Sequence, residues 1–97
     1  MARELLYVDT NHVLDSKRWR EVLRLLNGFG HWMQLSVFQC RLTVRRRSEM
    51  KASLQGEMNM AEDHSLIIDL GPADGMEVRV ESPGKPYETP KRQATVV

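Results

Sequence analysis

The apolar positions of this chain switch between a run, a helical period and a strict alternation, and each switch marks an element. Leu5, Leu6, Tyr7 and Val8 form an apolar run closed by Asp9, so residues 3–9 read as a short strand leaving into a polar loop. Asp15 or Ser16 can cap a following helix, in which Trp19, Val22, Leu23, Leu26 and Phe29 recur at helical spacing and give one apolar stripe. Lys17, Arg20, Glu21 and Arg24 fall on another face. Gly28 and Gly30 end this helix, where a left-handed residue is easily accommodated. Residues 31–42, with Trp32, Val37, Phe38 and Leu42, are rich in strand formers. They read either as two short strands reversing near Gln34–Ser36 or as one bent strand with a bulge. Thr43 can cap a second helix from about Val44 to Met58, with Arg47, Met50, Lys51, Leu54 and Met58 on its inner side and Lys51 at the margin. Ser65 to Leu70 is an apolar strand interrupted by Asp69, and residues 71–75 are a turn. Met76, Val78 and Val80 then alternate with Glu77, Arg79 and Glu81, which predicts a half-buried strand. Pro83, Pro86 and Pro90 make an extended tail that cannot join a central ladder.

The order is β-α-β-β-α-β with one additional C-terminal strand. It predicts an α+β, ferredoxin-like split-βαβ fold. Its 97 residues suit one domain, with residues 1–82 in the folded unit and residues 83–97 as the tail. Many unrelated activities use such a fold, so function must come from the site.

Composition narrows the setting. No apolar run approaches the ~20 residues that cross a bilayer, so no membrane partner is expected. Arg3 and Glu4 interrupt the N-terminus, and no secretory signal is expected. The one cysteine, Cys40, cannot form an intrachain disulfide and fits a reducing, cytoplasmic setting. Net charge is only +1, but residues 1–60 carry ten Lys/Arg against six Asp/Glu, while residues 61–97 carry four against seven. The basic front half points to an anionic partner.

Asp9 is the first candidate for chemistry. A carboxylate at a strand exit can hold a divalent cation, or it can organise the loop through Thr10 and Asn11. One carboxylate is a poor site for Mg²⁺, which seeks six oxygens. A two-fold axis could supply a second Asp9. His12 reads as a solvated loop histidine, and His31 and His64 lack zinc spacing. Arg45, Arg46 and Arg47 open the second helix, where cations oppose the helix dipole and a phosphate would reconcile the conflict. Lys17, Arg18 and Arg20 make the same argument at the first helix with less force, because Asp15 and Glu21 offset them. Neither cluster carries base-reading features, so nucleic acid would be held by its backbone in a salt-sensitive way. Trp19 and Phe38 read as core, while Trp32 could be core or a stacking surface.

Three stretches, Tyr7-Val8-Asp9-Thr10, 30–40 (GHWMQLSVFQC) and Asp63-His64-Ser65-Leu66, resemble the CRISPR-associated protein 2 family. The similarity covers about residues 3–81, and the ending at residues 79–86 resembles members from type I-C systems. The resemblance implies a symmetric homodimer in which the last strand joins the sheet of the other subunit. It implies a role in spacer acquisition, bridging dimers of the integrase, CRISPR-associated protein 1, on double-stranded DNA. It also implies, as an alternative, an endonuclease cutting RNA or DNA with Mg²⁺ or Mn²⁺ held at Asp9. Two departures stand out: the family's usual Tyr-Asp pair is here Tyr7-Val8-Asp9, and Trp32 occupies a place where the family carries a basic side chain.

Overall fold

In a computed structural model that describes residues 3–34 and 36–86, strand β1 (Leu5–His12) is followed by helix α1 (Ser16–Asn27), strands β2 (His31–Gln34) and β3 (Val37–Leu42), helix α2 (Val44–Glu57) and strand β4 (His64–Pro72). The four strands form one sheet in the order β2-β3-β1-β4, and every neighbouring pair is antiparallel. This is the predicted split-βαβ arrangement. Residues 31–42 are two strands, with a register shift between Trp32 and Gln34.

Both helices start where a side-chain oxygen meets a free N–H. The Asp15 carboxylate accepts from Arg18 N, and the Thr43 hydroxyl accepts from Arg46 N. Helix α1 ends at Gly28, as expected, in a right-handed conformation with φ −78°, so the left-handed freedom of glycine is not used there. Among the described glycines, positive φ angles occur at Gly71 and Gly75 (94° and 71°), where β4 ends and the chain turns.

The core lies between the helices and one face of the sheet. Alternate residues of β1 and their partners on β3 face it: Tyr7 opposite Cys40 and Asp9 opposite Phe38. Tyr7, Val22, Leu26, Phe38, Cys40, Leu42, Met50 and Leu54 form the buried cluster, with Trp19, Leu23 and Phe29 packed at its edge. Each large apolar side chain fully buried there stabilises the fold by about 1.5–3 kcal/mol. Gly30 is needed where the chain passes β3. A Cβ there would lie 2.5 Å from Cys40 Sγ and closer still to the Gln39 carbonyl oxygen. Gly30→Ala should therefore destabilise the protein by about 1–3 kcal/mol or more, read as a lower midpoint in urea.

The last expected element differs. Met76–Glu81 alternates as far as Arg79, with Met76 and Val78 half-buried and Glu77 and Arg79 exposed, while Val80 is exposed like Glu81, and it joins no ladder among the described residues. It runs beside the outer face of the sheet. The Arg41 guanidinium donates to the carbonyls of Ala73 (3.0 Å) and Met76 (3.2 Å), and Val80 to Pro83 lie near Met33 and Val37. The outer face of β4 stays open, with Leu66, Ile68 and Leu70 63%, 44% and 43% exposed. Pro90 and the rest of residues 87–97 lie outside the described residues.

Candidate nucleic-acid interface and the Asp9 cluster

Asp9 and Tyr7 are two residues apart on a strand, so they share a face, and that face is the helix side. The Asp9 carboxylate is fully buried. Asn11 Nδ2 donates to one oxygen at 2.7 Å and the Ser65 hydroxyl to the other at 2.8 Å. Burial pushes the carboxyl above its ordinary value of 3.8, and the two hydrogen bonds pull it back. Asn11 and Ser65 sit opposite each other on β1 and β4, which is how residues far apart in sequence meet. Asn11 Oδ1 is buried without a hydrogen-bond partner. Sequence reasoning assigned Asn11 only to a turn around Asp9, gave Ser65 no role and put Asp9 at the strand's exit, whereas β1 runs on to His12 and buries the carboxylate within the strand.

As a cation site within one chain this cluster does not fit. It offers a single carboxylate, both of whose oxygens are occupied and which no solvent reaches. Among the described residues no group of three or more His, Cys, Asp or Glu side chains is placed to hold a metal ion. His12 pairs across the ladder with His64, both exposed.

The two basic clusters fare differently. Lys17 and Arg20 are exposed on α1 and form no ion pair among the described residues. Arg18 is turned inward, a correction to its grouping with them. Its Nε donates to Asp63 Oδ2 at 3.0 Å and its Nη2 to Asp63 Oδ1 at 3.3 Å and Glu62 at 3.2 Å. Asp63 also accepts from the backbone of Leu14 (3.1 Å) and Asn59 (2.8 Å), so one carboxylate ties the start of α1 to the α2–β4 connection. The Arg18 guanidinium, with these N–H groups, holds the Asp63 carboxyl down at about 2. A depressed carboxyl stabilises the fold above its ordinary value of 3.8, and the contribution disappears as pH falls towards 2. Asp63→Asn should therefore lower the thermal midpoint at pH 7, and melting across the acid range should show the gap between the two proteins narrowing as pH drops from about 4 to about 2.

On α2, Arg45 is the open member. Its side chain is 89% exposed and only 3.7 Å from Glu49. Arg46 bonds Glu49 at 2.9 Å and lies 4.4 Å over the Phe29 ring. Arg47 is half-buried, 6.0 Å from the Tyr7 ring centroid. No acid stands in the first turn, but Glu49 supplies within the helix some of the negative charge expected from a bound phosphate. One turn on from Arg47, Lys51 opens onto a groove between α2 and β4 that also holds Gln55, His64 and Ser65. Sequence reasoning put Lys51 at the margin of the inner face, and the groove is that margin.

Known proteins of this fold decide the family. The family profile described as CRISPR associated protein Cas2 matches residues 9–76. The chain belongs to the Cas2 family. A Rhodospirillum rubrum protein named CRISPR-associated endoribonuclease Cas2 1 is 46% identical over 94 residues, covering 97% of this chain and 92% of that one. The Geobacter sulfurreducens CRISPR-associated endoribonuclease Cas2 is 45% identical over 94 residues, covering 97% and 99%. Among solved structures, Streptococcus pyogenes Cas2 superposes with a TM-score of 0.70 at 27% identity, covering 81% of this chain and 99% of that one. The Thermus thermophilus hypothetical protein TT1823 gives 0.73 at 25%, covering 88% and 99%. The α+β fold is thus that of Cas2 structures. No helix among the described residues is long and apolar enough to cross a membrane.

Proposed function

We propose that this Cas2 chain works as a dimeric, duplex-binding adaptor in spacer acquisition, holding double-stranded DNA for the CRISPR-associated protein 1 integrase without cutting it. The observation that carries the choice is the direction of Asp9. The family usually carries Tyr immediately before this aspartate, and here Val8 stands there, with Tyr7 one place earlier. Asp9 shares a face with Tyr7, looks towards its own helices and is saturated by Asn11 and Ser65. The exposed cations Lys17, Arg20 and Arg45 remain for phosphate contact, with Arg46 and Arg47 beside them.

The homodimer is part of the same proposal. The open apolar stripe Leu66, Ile68 and Leu70 and the unpaired alternating segment Met76–Glu81 are both explained by a second copy, through face packing and strand addition. The residues 79–86 support placing the chain with type I-C members, and the single buried cysteine, Cys40, fits a reducing cytoplasm.

The second reading, a Mg²⁺- or Mn²⁺-dependent endonuclease acting on RNA or DNA, is favoured by the names of the relatives above. It requires Asp9 to leave its hydrogen bonds and meet a second Asp9. The variant Asp9→Asn separates the two. Because burial raises the Asp9 carboxyl, its ionisation costs stability increasingly as pH rises above the ordinary 3.8. Asn can replace it, since the Ser65 hydroxyl can rotate to accept. The adaptor reading predicts a thermal midpoint at pH 7 no lower than that of the wild type, an advantage that fades towards pH 4, and unchanged duplex binding and integration. Cleavage by the wild type that disappears in Asp9→Asn would establish the nuclease instead.

A further inference from the structure

We propose that His12 and His64 together bind one divalent transition cation, of which Zn²⁺ is the type, at the open end of the β1–β4 ladder. The two residues are direct partners across that antiparallel ladder. They are its last pair, in a register that runs without a break from Val8 and Ile68 through Thr10 and Leu66. Residues opposite each other in such a ladder share a face, with Cβ atoms about 4.5–5.5 Å apart. Both side chains are exposed. Two of the three histidines of the chain are thus brought side by side from strands far apart in sequence. Left alone, the pair gains nothing, because two protonated imidazoles placed opposite each other repel. A cation that accepts a lone pair from each neutral ring turns the contact into an attraction.

The surroundings select the class of cation. Four acids lie within three positions of the pair in the chain: Asp9, Asp15, Glu62 and Asp63. All four are engaged, Asp9 by Asn11 and Ser65, Asp15 by the Arg18 N–H, and Glu62 and Asp63 by the Arg18 guanidinium. Mg²⁺ and Ca²⁺ seek carboxylate oxygens and find none free there. Imidazole nitrogens suit Zn²⁺, Ni²⁺ and Cu²⁺. Two protein ligands leave the remaining positions to water, so the site binds more weakly than a structural zinc centre with four. The bound ion would clip β1 to β4 beside the α2–β4 connection, where Asp63 already holds the start of α1. Each chain supplies both ligands, so the site needs neither a duplex nor a second copy.

The test titrates the whole chain, labelled with ¹⁵N, with zinc chloride at pH 7.5 and follows the three imidazoles by NMR. His12 and His64 should move together and saturate at one ion per chain, with His31 on β2 unmoved. The thermal midpoint should rise with zinc concentration, because the ion binds the folded state. Even an outer-shell partner is worth about 10–100-fold in metal affinity, so His12→Gln and His64→Gln should each weaken zinc binding at least about tenfold. Both positions are exposed, so circular dichroism of the two variants should match the wild type. Asp9→Asn and Ile68→Asp should bind zinc as the wild type does, and magnesium should leave both imidazoles unmoved. Zinc that moves one of the two imidazoles alone, or that binds undiminished in either glutamine variant, overturns the site. Loss of zinc binding in Asp9→Asn overturns it as well, by placing the ion elsewhere. Zinc binding that follows the paired pattern in a protein that fails to hold a duplex removes the adaptor and leaves the site.

Discussion

Replacing Arg45, Arg46 and Arg47 by alanine should flatten the dependence of duplex affinity on salt. If each arginine neutralises one phosphate, the log–log slope falls by roughly 2–3 per protomer, since each contact contributes about 0.9. At moderate salt, affinity should fall by an order of magnitude or more. The three do not contribute alike. Arg45 is almost wholly exposed, whereas Arg46 is shared with Glu49 and Phe29. Arg45→Ala alone should therefore account for the largest single change in slope. Arg46→Ala also removes the contact with Phe29 at 4.4 Å, so its melting point must be compared with the wild type before its binding is interpreted. Unchanged affinity and slope in the triple variant would remove these side chains from the interface. Lys17 and Arg20 form the second patch, and Arg18 should behave differently from both. Arg18→Ala breaks the clasp on Asp63 and should act on stability, because it leaves a buried carboxylate with only its backbone donors.

The second large effect concerns association. Ile68→Asp places a charge in the centre of the open stripe on β4, between Leu66 and Leu70. An uncompensated charge buried at an interface costs about 3–5 kcal/mol, and a two-fold axis enters it twice. The dimer dissociation constant should rise by at least about a thousandfold, enough to leave monomers at micromolar concentration. The variant chain itself should stay folded, because Ile68 is 44% exposed and belongs to no part of its core. Light scattering after gel filtration reads the mass, and circular dichroism reads the fold. A dimer that persists in Ile68→Asp would move the interface elsewhere and leave the apolar stripe unexplained.

The helices and the strands β1 and β4 were legible because local signals agree there. The helical stripe from Trp19 to Phe29, the caps at Asp15 and Thr43 and the apolar run before Asp9 each point to one structure. The partition of residues 31–42 was not legible, because a bulge and a turn use similar residues and the register shift at Trp32–Gln34 belongs to the sheet. Met76–Glu81 carries a strand's alternation, but a ladder needs a partner edge, and among the described residues the segment pairs with neither edge strand, β2 or β4. At the site, Arg18 reads as a free cation because its partner, Asp63, lies 45 positions away. The Asp9 cluster was partly legible. The parity of Tyr7 and Asp9 puts them on one face, but the apolar run 5–8 does not say which face is the core, and the closure by Ser65, 56 positions on, depends on β4 pairing with β1.

The central claim is that two copies of this chain hold one duplex by its phosphates. Sedimentation velocity of the wild type with a fluorescent blunt duplex, in moderate salt with magnesium, tests it in one experiment. The account predicts a dimer in the free protein and a labelled boundary whose mass is one duplex plus dimeric protein, with the DNA intact and the boundary lost at high salt. A free protein that sediments as a monomer, beside a duplex that sediments alone or in cut pieces, would contradict it.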